Sequence, residues 1–120
     1  MDAKHILYLL RKSPYSSSNA VEALESALVA GVFEQNVAVL FKDDGVWQLL
    51  DGQKGAVIER RTVGKVLQAL PQYDVDQLFV CEVSLNERGL QLEDLALGVK
   101  LLSLGEQRKL IARQDAVVND

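Results

Sequence analysis

The sequence predicts one α/β domain over residues 1–120, a mostly parallel sheet flanked by helices. Three observations predict it. Short apolar runs bounded by turn residues alternate with segments of helical period, which is the pattern of βαβ units. Those runs are nearly continuous rather than alternating, as in strands buried on both faces. The chain's 120 residues, 48% of them hydrophobic, also suffice for one packed core.

His5 to Leu10 (HILYLL) is the first strand, closed by Arg11-Lys12-Ser13-Pro14. A serine-rich stretch leads to Asn19, an N-cap type with Glu22 three residues on. Val21, Leu24 and Leu28, with Ala20, Ala23 and Ala27, give that helix an apolar face, and Gly31 supplies its stop. Val37 to Phe41 (VAVLF) is the second strand, followed by the turn signal Asp43-Asp44-Gly45. Val46 to Gly55 reads as a loop or single helical turn that carries Trp47, Leu49 and Leu50. Val63, Val66, Leu67 and Leu70 have helical spacing, with Pro71 as terminator. Leu78 to Cys81 is the third strand. Ser84 and Glu87 then match a capping box, so a short helix starts just past Cys81 and stops at Gly89. Val99 to Leu102 is the fourth strand, Ser103 with Glu106 caps a helix carrying Leu110 and Ile111, and Ala116 to Val118 is a final strand. The outline is flavodoxin-like. Sites in such sheets lie beyond the carboxyl ends of the strands, here Arg11 to Ser18, Lys42 to Gly45, Cys81 to Ser84, and Ser103.

Composition narrows the function classes. A net charge of −4 argues against a surface that grips a nucleic-acid backbone, and no apolar run approaches the roughly 20 residues of a membrane span. The start, with Asp2, Lys4 and His5, lacks the basic-then-apolar pattern of an export signal, so a cytoplasmic location is expected. A lone cysteine forms neither an internal disulfide nor a multi-cysteine zinc site. Cys81 is therefore either a buried small hydrophobe or a reactive thiol.

Several motifs have simpler readings. Ser16-Ser17-Ser18-Asn19 could cradle an anion at a helix mouth, but the glycines of a dinucleotide loop and the Gly-Lys-Ser/Thr of a P-loop are missing, and a capped helix start explains the run. Asp43 and Asp44 occupy an Asp-Gly turn where Asp is common; receiver-type phosphoacceptor chemistry would want acids where Arg11 and Lys12 stand. His5, the one histidine, lies at the opposite end of its strand from the expected site and has no ligand spacing, so no metal is implied. No Ser-His-Asp set or catalytic carboxylate pair is present. Val46, Trp47, Leu49 and Leu50 form an apolar cluster in a polar connection, either a lid on the domain's own core or a subunit interface. Cys81, ahead of a predicted helix N-terminus, occupies a position that favours a thiolate, with Glu82 opposing this and Arg88 offsetting it.

Asp44-Gly45-Val46-Trp47-Gln48-Leu49-Leu50-Asp51-Gly52-Gln53-Lys54, then Tyr73-Asp74-Val75, then Cys81-Glu82-Val83-Ser84-Leu85-Asn86-Glu87-Arg88-Gly89-Leu90, resemble the signatures of the TusC/DsrF branch of the DsrE-like sulfur-relay family. The resemblance covers essentially the whole chain. It implies a subunit of a heterohexamer, a dimer of trimers with TusB-like and TusD-like partners, passing persulfide sulfur to a downstream sulfur-carrier protein and toward 2-thiolation of the wobble uridine in tRNA. No cofactor and no direct tRNA contact are implied. In the family the persulfide cysteine lies on the TusD/DsrE chain at the position equivalent to Cys81, with Ser84 and Arg88 near it. Two roles follow for this branch: an auxiliary sulfur acceptor at Cys81, or a non-catalytic structural subunit, as in a DsrEFH-like sulfur-oxidation complex.

Overall fold

The computed structural model describes residues 4–12, 19–33, 35–49, 66–75, 77–95 and 98–120. Five strands, β1 (His5–Leu10), β2 (Asn36–Phe41), β3 (Gln77–Cys81), β4 (Lys100–Leu102) and β5 (Ala116–Asn119), form one sheet in the order β4-β3-β2-β1-β5. Every pairing is parallel. The α/β class with a parallel sheet is therefore as the sequence predicts. The order was not legible: the chain steps outward from β1 to β4, then returns across the sheet to place β5 on the far side of β1.

That winding sets the layers, because right-handed crossovers that advance in one direction all lie on one face. The helix α1 (Asn19–Val32), a helical segment at 66–69 and the short helix α2 (Glu82–Glu87) cover the first face. Leu24, Ala27, Leu67, Leu70 and Leu85 pack there against Tyr8, Leu10, Val37, Val39, Phe41, Leu78 and Val80. The return connection carries α3 (Leu104–Ala112), whose Leu110 packs on the opposite face against Leu7, Leu9, Ala38, Leu40 and Leu102. Side chains alternate across a strand, so Cys81, next to Val80 on the first face, points to the α3 face with its register partner Leu102.

Local details correct four sequence expectations. Gly31 does not stop α1, which runs on to Val32; a side chain at Gly31 would meet the Tyr73 carbonyl and Val75. Pro71 does not end the helical turn but opens a 3₁₀ turn, Leu70–Tyr73, where its missing N–H costs nothing. Asp43-Asp44-Gly45 is the start of a 3₁₀ helix, Asp43–Leu49, rather than an isolated turn. Ser84 is not the cap of α2: Cys81 is the N-cap, and its sulfur accepts from the Ser84 N–H at 3.5 Å. Other expectations hold. Gly89, at φ +67°, follows the end of α2, and Ser103 with Glu106 closes a reciprocal capping box at 2.9 and 3.2 Å. The serines 16–18, Leu50 to Gly55, and Val63 lie outside the described residues.

Candidate functional site

Cys81 is the last residue of β3 and is 1% exposed. It is held at a junction of three strand ends. On one side lies β2, whose Phe41 pairs with Val80, so that Lys42 follows at the level of Cys81. On the other side lies β4, whose Leu102 pairs with Cys81 itself. Sequence placed these segments at the same end of the sheet; only the register brings them side by side.

The polar groups around the sulfur come from two directions. Ser84, 3% exposed, sits in the first turn of α2, with its hydroxyl accepting from the Asp43 N–H at 2.9 Å. The same side chain favours the charged form of the Cys81 thiol. From α3, Gln107 is 2% exposed; its Nε2 donates to the Leu102 carbonyl at 3.1 Å, and its amide favours the charged form of the Cys81 thiol. Burial pushes the thiol up, but the Ser84 hydroxyl, the Ser84 N–H, the Gln107 amide and the Lys42 charge together hold it below its ordinary value. The first-turn N–H of the helix contributes as the sequence predicts, and the rest of the cause differs. A six-residue helix contributes one aimed N–H rather than a strong dipole, and neither Glu82 nor Arg88 is among the groups that move the thiol.

Arg88 has another task. Its guanidinium, with a side chain 19% exposed, donates to Asp44 at 2.9 and 3.3 Å and to the Ser84 carbonyl at 3.1 Å. It thus clamps the 3₁₀ helix Asp43–Leu49 onto α2. Gln48 ties the same 3₁₀ helix to the segment just past β1 by donating to the Lys12 carbonyl at 2.9 Å. Gly45 is needed where that helix crosses β1, since a Cβ there would collide with the Leu10 carbonyl.

Of the apolar cluster, Val46 and Leu49 are fully buried in the chain's own core, Trp47 is half-buried, and Leu50 lies outside the described residues. Val46 and Leu49 therefore offer no surface to a partner, and contact with another chain at this segment would fall to Trp47. His5 is exposed at the start of β1, away from the site, as expected. Sequence reasoning missed Gln107 altogether and placed Lys42 in a strand-end site segment without giving it a role. The available signal for Gln107 was a polar residue on the apolar side of α3, three residues before Leu110.

The surface beside the thiol is cationic. A cavity of about 270 Å³ is lined by Lys42, Leu104, Gln107, Arg108 and Ile111. A larger one, about 640 Å³, has Lys100, Lys109 and Arg113 in its lining together with one carboxylate, Glu106. A depressed thiol next to cations is suited to act as a nucleophile or sulfur acceptor. Among the described residues, no helix is long and apolar enough to cross a membrane.

Comparison with known proteins gives a consistent picture. The model of the DsrE/DsrF-like family matches residues 4–119. The chain is 43% identical over 116 residues to a protein TusC homolog of Pseudomonas aeruginosa, covering 97% of this chain and 98% of that one. It is 42% identical over 92 residues to the intracellular sulfur oxidation protein DsrF of Allochromatium vinosum, covering 77% and 68%. Among solved structures, the ychN protein of E. coli superposes with a TM-score of 0.84 at 22% identity, covering 98% of this chain and 99% of that one, which shows the same fold.

Proposed function

The chain belongs to the DsrE/DsrF-like family, and on that premise we propose that it is a subunit of a multi-chain sulfur relay in which Cys81 receives and hands on persulfide sulfur. The observation that carries this reading is the environment of Cys81: a thiol aimed at by the Ser84 hydroxyl, the Ser84 N–H and the Gln107 amide, beside Lys42. Those donors stabilise a thiolate, which is the attacking form in thiol exchange.

The transfer balances without a cofactor. The Cys81 thiolate attacks the outer sulfur of a donor persulfide, R–S–SH. A new bond forms from Sγ to that sulfur, the donor's S–S bond breaks, R–S⁻ leaves, and the proton stays on the transferred sulfur. A second thiolate repeats the attack to move the sulfur on. The destination in this reading is a downstream carrier protein and, through it, 2-thiolation of the wobble uridine in tRNA, in a cytoplasmic complex with TusB-like and TusD-like chains. Trp47 is the proposed contact with those chains. The overall charge of −4 suits protein-to-protein transfer rather than tRNA binding.

One observation favours a second reading. At 1% exposure Cys81 is closed to a partner's cysteine in the chain as it stands, as expected of a structural subunit of a DsrEFH-like sulfur-oxidation complex whose own thiol is idle. One experiment separates the two. The chain, assembled with its partner subunits, is incubated with a persulfide donor, and the Cys81 peptide is examined by mass spectrometry for one added sulfur atom. The relay reading predicts that adduct and slower onward transfer in Cys81→Ser. Sulfur found on a partner chain alone, with Cys81→Ser transferring at the wild-type rate, would sink it.

A further inference from the structure

Gln107 is costly to keep where it is. It is 98% buried by the complement of its 2% exposure, yet its Oε1 has no hydrogen-bond donor. A buried amide that is half satisfied is less favourable than an aliphatic side chain of the same size, so packing alone would select leucine or methionine here. The orientation of the amide is set by the network: Nε2 faces the Leu102 carbonyl, which accepts only from a donor, and turning the amide over would set two carbonyl oxygens against each other. Nε2 is anchored on the register partner of Cys81, which leaves its second hydrogen uncommitted beside an Oε1 that has no donor. Gln107 also lines the cavity formed with Lys42, Leu104, Arg108 and Ile111.

We propose that Gln107 is the positioning residue for the sulfurated state of Cys81: Nε2 donates to Sγ, and the unpartnered Oε1 receives the S–H of the outer sulfur in Cys81–S–S–H. The two sulfurs of a persulfide are about 2 Å apart, a span that one amide edge can engage with a donor and an acceptor at once. The attack described above leaves its proton on the outer sulfur, and that proton is the donor that Oε1 lacks. The group recognised is thus a hydropersulfide rather than an oxyanion or a nucleotide. The outer-sulfur half of this assignment rests on the relay reading; the Nε2 half does not.

The test uses two variants that keep the size of the side chain, Gln107→Met and Gln107→Glu, in the full chain, with circular dichroism to confirm folding. Because Cys81 is the one cysteine, alkylation by iodoacetamide reports on it alone. The charged groups that also face this thiol or its cavity are Lys42 from the end of β2 and Arg108 from α3; both are unchanged in both variants. Losing one donor lowers the neutral-pH alkylation rate about three- to tenfold and moves the pH profile upward in Gln107→Met. Gln107→Glu moves it further, since a carboxylate then faces the thiolate. An unmoved profile in either folded variant overturns the assignment. The second readout loads Cys81 with glutathione persulfide and follows loss of the added sulfur by mass spectrometry. A lifetime shortened at least severalfold in Gln107→Met supports the outer-sulfur contact. An equal lifetime overturns that contact, while a wild-type chain that takes up no sulfur, with the alkylation profile still shifted, overturns the relay reading and leaves the Nε2 contact standing.

Discussion

Ser84→Ala tests the site at its joint, because one hydroxyl braces the 3₁₀ helix Asp43–Leu49 and tunes the thiol. The variant removes the acceptor for the Asp43 N–H, a 2.9 Å hydrogen bond, and the hydroxyl donor to Cys81. A neutral hydrogen bond contributes about 0.5–1.5 kcal/mol net, and a donor left wholly buried costs about 1–3 kcal/mol. Asp43 is half exposed, so water reaches part of the orphaned N–H, and the loss falls near the lower end, at about 1–2 kcal/mol. For a domain of this size that is a fall in Tm of roughly 3–8 °C. The Ser84 backbone N–H survives in alanine, so the thiol keeps one of its donors. Its alkylation rate at neutral pH therefore falls only about three- to tenfold instead of being abolished. Urea denaturation gives the first number, and the pH dependence of iodoacetamide modification gives the second. A variant with wild-type stability and a wild-type alkylation profile would refute the assignment of both bonds. A loss of stability with an unchanged profile would confine Ser84 to bracing and remove it from the chemistry.

Two further predictions concern the scaffold. Gly45→Ala forces a methyl group into the Leu10 carbonyl, a backbone group that cannot rotate away, so urea denaturation should show a loss of about 3 kcal/mol or more, or no folded protein at all; a loss under about 1 kcal/mol would mean that the helix shifts freely. Glu106→Gln probes the α3 cap: the Ser103 backbone N–H, with its hydroxyl, holds the Glu106 carboxyl below its ordinary value, so its stabilisation is present above 4.5 and lost as pH falls through the lower folded value. The stability difference between wild type and variant should accordingly be seen at neutral pH and vanish in acid, and a pH-independent difference would contradict this origin.

How much of this was legible before the structure follows from the range of each interaction. The strands His5–Leu10 and Asn36–Phe41 declare themselves through continuous apolar runs, and the α3 cap through Ser103 and Glu106 three residues apart. Gly89 marks its helix end because a positive φ suits glycine. The capping-box pattern at Ser84 misled, because serine three residues before a glutamate matches the motif wherever it falls in the first turn. In the structure the cysteine sulfur already accepts the first-turn N–H that a capping residue would take. The position of Cys81 at the end of a strand was readable and Ser84 was placed near it, but the parts played by Lys42 and Gln107 were not.

The sequence by itself determined the class of fold, the succession of elements and the place of the one cysteine at a strand end, since these depend on composition and on contacts a few residues apart. Tertiary structure alone decided the strand order, the burial of Val46 and Leu49 in the chain's own core, and the meeting of Lys42, Cys81 and Gln107. Those three residues are far apart in the chain and are joined by the pairing of β2 with β3 and of β3 with β4. Register is a property of the whole sheet, fixed by which faces are buried together. A polar side chain on a short helix therefore discloses its purpose only when the strand beneath it is known.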